Sequence, residues 1–152
     1  MIRHTQTIFV DDPRGIPGDC MRTAVASLLD LPVEAVPHFA LFSAPGAWFD
    51  AFSLWLVGKG LRIHPVVKPS DGCLAIGMSP RGVEHVVVWD GSGLWHDPHP
   101  SQGGIEPRQY WEIVPVAKPT DLCPACDFDP AAPHNGKGEC RDRKSTDLES
   151  GA

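Results

Sequence analysis

The chain has 152 residues, 42% of them apolar, and a net charge of −6 at neutral pH. That length and apolar share suit one domain with one hydrophobic core, and the negative balance argues against nucleic-acid binding and against an anionic-membrane anchor. The N-terminus lacks the apolar stretch of a signal peptide and no run is long enough to span a bilayer, so the expected location is the cytoplasm, with the five cysteines reduced rather than paired in a disulfide framework.

The first predicted element is a short lead-in strand at 8–10. Pro17, Gly18 and Asp19 then precede a run in which Met21, Ala24, Val25, Leu28 and Leu29 recur at the spacing of one buried helical stripe. A helix is predicted over 20–29, with Asp19 as its cap and Cys20 in its first turn. Residues 31–37 fit a single helical turn between two prolines. Trp48, Phe49, Phe52, Trp55 and Leu56 predict a second helix, stopped by Gly58 and Gly60 and packed as core on the first. The period then changes to that of strands, over 61–67, 73–78, 83–89, 94–97 and 110–116, with turns at 80–82 and 90–93. Helices followed by an antiparallel sheet make an α+β layout.

Three residues in these elements form a chemical set. A helix N-terminus carries partial positive charge and free N–H groups, which favours thiolate at Cys20. His85, at the start of the strand Val86-Val87-Val88, is the candidate base and later acid, and Asp97, before Pro98, is the candidate group that orients the imidazole. The Cys20 backbone N–H is a candidate oxyanion donor, and Gln6 carries the only side-chain amide upstream of it. The simplest turn at 90–93 would pair Trp89 with Leu94 and leave Asp97 on the face away from His85, so the set requires one bulge.

Gly18-Asp19-Cys20 with its helix, Glu84-His85-Val86-Val87-Val88 and Asp97-Pro98, in that order, resemble the papain-like cysteine peptidases. The C39-like branch is the most similar, as are small stand-alone papain-like proteins of bacteriophages. The resemblance covers about residues 5–116. It implies a papain-like domain over 1–117, a Cys20–His85–Asp97 triad, a peptide or protein substrate and catalysis without a cofactor. The family's oxyanion glutamine falls where this chain has Arg14, so Gln6 takes that role from farther upstream. The expected function is hydrolysis of a peptide or isopeptide bond through a thioester. The alternatives are acyl or amide transfer by the same triad, or a noncatalytic papain-like interaction module.

Residues 118–152 form the second predicted part, a linker and tail. Cys123, Cys126, His134 and Cys140 have the spacing C-x2-C-x7-H-x5-C, three sulfurs and an imidazole suited to structural zinc. The other reading is a tail with incidental cysteines.

Overall fold

The computed structural model describes residues 1–42, 44, 46–69 and 72–116. These belong to the first of two units into which the chain divides, Met1–Val116. The expected zinc ligands Cys123, Cys126, His134 and Cys140 lie outside the described residues, as does the predicted linker.

The fold is α+β. Helix α1 is Cys20–Leu28 and α2 is Ala47–Val57, with 3₁₀ turns at Val33–Ala35 and Phe39–Leu41 between them. The strands are β1 Leu61–Val66, β2 Cys73–Met78, β3 Glu84–Trp89, β4 Leu94–His96 and β5 Glu106–Pro115. They form one antiparallel sheet in the order β1-β5-β2-β3-β4, so the last strand inserts between the first two. No helix among the described residues is long and apolar enough to cross a membrane.

Helix α1 packs on β3 and β2. Ala24 and Val25 meet Leu74, Ile76, Val86 and Val88 in the core, which Phe39, Phe52 and Leu56 complete. Phe52 and Leu56 are fully buried, and burial of such a side chain is worth about 1.5–3 kcal/mol each. Helix α2 packs on β1 and the Phe39–Leu41 turn rather than along α1. Its first turn sets Trp48 and Phe49 against Trp111 of β5, with ring centroids 6.3 and 5.6 Å apart.

The predicted strand at 8–10 does not form. The polar groups of Ile8 are taken up elsewhere: its N–H donates to Asp19 Oδ1 (3.0 Å), and its carbonyl accepts from Asp19 N–H (3.1 Å) and Gln6 Nε2 (3.0 Å). The chain then turns at Phe9, whose carbonyl accepts from Asp12 N–H. Asp19 correspondingly makes no side-chain cap on α1. Its carboxylate reaches across to Thr7 and Ile8, a buried long-range bond in place of a local one.

Strand β5 starts before the predicted residue 110. Pro107 enters the sheet where the β2–β5 register shifts between Ile76 and Gly77, an irregularity of the kind that tolerates proline in a sheet. There the two backbones come so close that a Cβ on Gly77 would overlap the Glu106 carbonyl and lie 2.9 Å from Pro107 Cα. Gly77 also pairs with His85, so this close approach adjoins a candidate site residue. Gly77→Ala is expected to cost about 3 kcal/mol in urea unfolding, because the obstacle is backbone and has no rotamer to change. Gly93→Ala, which meets nothing within 4 Å, serves as the near-neutral reference. Equal stability of the two variants would contradict the close approach.

Candidate active site

Three segments converge on the start of α1. Cys20 is the first helical residue and is half-buried, so its sulfur is reachable from solvent. Its N–H is among those at a helix start that lack an intrahelical acceptor. His85 stands one residue into β3 and is 3% exposed. Asp97 follows β4 and is 1% exposed. The required bulge is present: Trp89 pairs with Leu94, but Val88 pairs with His96, leaving Trp95 as the extra residue. The shift turns Asp97 to the same face as His85, and Nε2 of the ring lies 2.7 Å from Asp97 Oδ1.

Asp97 is held from several directions. Oδ1 also accepts from His99 N–H (2.8 Å) and Oδ2 from Gly104 N–H (2.8 Å). Its carbonyl accepts from Gln102 Nε2 at 2.6 Å. The 98–104 loop thus wraps the carboxylate, with Gln102 in the left-handed region at φ 50°, a conformation uncommon for a residue with a Cβ.

Cys20 lies close enough to the His85 ring to act on its protonation, and both border the same groove. Burial opposes the charge on the ring, but the bond to Asp97, the neighbouring Cys20 and the negative charge of both outweigh it and hold the ring up at about 9. Burial likewise opposes the Asp97 carboxylate, and the bonds from His85, His99 N–H and Gly104 N–H override it, bringing the acid down to about 2. At neutral pH the site therefore holds an imidazolium between a carboxylate and a sulfur.

No protein-family model, curated protein or solved structure matches the chain.

The sulfur and the ring open onto a groove of about 360 Å³, walled by Met21, Ile76, Trp48 and Trp111, with Glu84 and Gln109 at its polar side. The sequence pattern assigned Trp48 to the core. It is 37% exposed, because the first turn of α2 carries it to the groove. A second concavity of about 370 Å³ lies beside His99, whose ring is 6.2 Å from that of His85 and is edge-on to Phe9 at 5.2 Å. Burial and the nearby Arg81 charge lower the basicity of His99.

Gln6 is buried at 5% exposure near the start of α1. Its N–H donates to Pro98 carbonyl (2.9 Å), which ties the N-terminal segment to the loop after Asp97. Its side-chain Nε2 donates to Ile8 carbonyl (3.0 Å), the same oxygen that receives Asp19 N–H, and Oε1 has no partner among the described residues.

Two further histidines and Cys73 serve the fold. Nε2 of His96 donates to His4 carbonyl (2.6 Å), and Nε2 of His38 donates to Pro17 carbonyl (2.9 Å). Cys73 is fully buried, and burial together with Glu112 pushes its thiol up to about 11. No group of three or more His, Cys, Asp or Glu suited to a metal occurs among the described residues.

Proposed function

We propose that this chain is a papain-like cysteine hydrolase that cleaves a peptide or isopeptide bond through a thioester on Cys20. The observation that carries the reading is one imidazole ring bonded to a buried carboxylate and sharing a groove with Cys20, which opens a helix. The order of helix-borne Cys, strand-borne His and following Asp supports the C39-like resemblance.

The proposed steps use that arrangement. Nε2 of His85 is committed to Asp97, so Nδ1 carries the proton shared with sulfur. The thiolate attacks the carbonyl carbon, and the oxyanion forms beside the Cys20 N–H. The amide nitrogen takes the Nδ1 proton as the C–N bond breaks, leaving a thioester and neutral His85. A water gives its proton to His85 and attacks the thioester; the C–S bond breaks, and thiolate and imidazolium are restored. Gln6 is the candidate side-chain donor to the oxyanion, since its amide has a second N–H beyond the one given to Ile8.

A noncatalytic module has no need for Cys20 to lie beside the His85 ring, which is why the hydrolase is preferred. Brief alkylation at neutral pH followed by peptide mass spectrometry is expected to mark Cys20 at least about 100 times faster than Cys73, because thiolate character and access both favour it. A peptidyl fluoromethylketone is expected to modify Cys20 and to fail on Cys20→Ser. Equal alkylation of all five cysteines, or an inert Cys20, would sink the hydrolase reading.

A further inference from the structure

We propose that the groove beside Cys20 binds a cationic side chain, the ammonium of Lys or the guanidinium of Arg, with Glu84 as its counter-ion and Trp48 and Trp111 as its wall. The inference deepens the hydrolase reading and rests on the groove being the substrate site.

The charge inventory of the groove is one-sided. Glu84 is exposed on its lining, and its carboxylate makes no hydrogen bond or ion pair among the described residues. Among the described residues no Lys or Arg lines the groove. Its one positive group, the His85 ring, already lies between Asp97 and Cys20. Arg22, close by on α1, points its Nε at the carbonyls of Val33 and Val36, 2.9 and 2.7 Å away. The acid is also reinforced along the sheet. Glu84 pairs with Met78, which pairs in turn with Glu106. The two carboxylates therefore share one row across three strands, about 10 Å apart by strand spacing.

The walls suit the same ligand. The indoles of Trp48 and Trp111 lie 19° from parallel with centroids 6.3 Å apart, and both border the groove. An indole face attracts a cation, and the four-carbon stem of Lys or the three-carbon stem of Arg packs on apolar surface while the charged head stays at the polar edge. Met21, Ile76 and Val86 supply the apolar surface and Glu84 the polar edge. A purely apolar side chain would fill the same walls but leave the Glu84 carboxylate partly desolvated and unpaired, which is unfavourable. An acidic one would face like charge, and the −6 net charge adds to that bias.

The test uses fluoromethylketones of one peptide with Lys, norleucine or Glu in the residue next to the reactive carbon, with Cys20 modification followed by intact-mass spectrometry. Lys and norleucine share the stem and differ in the charge. The expected Lys-to-norleucine rate ratio is about ten, the range for an exposed ion pair added to a cation–π contact. It is expected to fall to about one in Glu84→Gln and below one in Glu84→Lys, where the Glu probe becomes the fastest. Each ratio is internal to one variant, so overall losses cancel. A wild-type ratio near one with Cys20 still reactive overturns this inference and leaves the hydrolase reading standing. A Cys20 inert to every probe and to iodoacetamide overturns both. A cation arriving on the amine half of the reaction would show as competition by free N-acetyl-lysine methylamide against the norleucine probe, lost in Glu84→Gln. That outcome supports the same wall and assigns it to the other half of the substrate.

Discussion

Replacing His85 with alanine is expected to slow cleavage of an amide substrate by about 1000-fold or more, within the range for loss of a general acid–base. The alkylation of Cys20 separates the two parts of that loss. A thiol deprived of a neighbouring imidazolium is less readily ionised but, once ionised, is the better nucleophile. The expectation is a slower reaction with iodoacetamide below neutral pH, with the difference vanishing or reversing at alkaline pH. His85→Gln keeps a donor for Asp97 without the charge and is expected to follow alanine in this profile. The pair also governs stability. His85 is raised from 6.5 to about 9, so its contribution is fully present below pH 6.5 and is lost as pH rises through about 9. Asp97 is lowered from 3.8 to about 2, so its contribution is present above pH 3.8 and is lost as pH falls through about 2. Thermal unfolding against pH is expected to show an alkaline decline in the wild type that His85→Ala lacks. Parallel curves for the two proteins would count against the charged ring.

The elements legible in the sequence were those fixed by local period. Helix α1 follows from apolar residues on one face, and β3 from its run of valines. The need for a bulge after β3 was also legible, since only a one-residue shift aligns Asp97 with His85. Its place was not. Trp95 became the extra residue in a setting that includes the Arg3 guanidinium 4.8 Å over its ring and His96 bonded to His4. Those partners are some 90 residues away in sequence. Asp19 shows the same limit. Its position matched a helix cap, but the N–H groups of Thr7 and Ile8 lie within reach in three dimensions and take the carboxylate instead. The insertion of β5 between β1 and β2 runs against the tendency of consecutive strands to be neighbours. The groove wall was hidden for a related reason. Trp48 has the spacing of a core residue, and only the placement of α2 over β1 carries it to the groove.

Asp97 is the position where a near-isosteric change is expected to fail. Its two oxygens accept three N–H donors, from His85 and His99 at Oδ1 and from Gly104 at Oδ2. An asparagine has one acceptor oxygen. With that oxygen toward His85 and His99, its NH2 meets the Gly104 N–H, donor against donor. With the amide turned over, the ring and His99 lose their acceptor. Either way a buried N–H is left unpaired, at about 1–3 kcal/mol, and the negative charge that helps to hold His85 at about 9 is gone. Asp97→Asn is therefore expected to lower stability by about that amount and to move the alkaline decline of stability to lower pH. Asp97→Ala removes the Nε2 acceptor of a buried charged ring and the acceptor of two backbone N–H groups, and is expected to cost about 3–5 kcal/mol. Urea unfolding over a range of pH checks both. If Asp97→Asn matched the wild type in stability and in its alkaline decline, Asp97 would be no more than a shape for the loop to fold around, and the charge on His85 would need another origin.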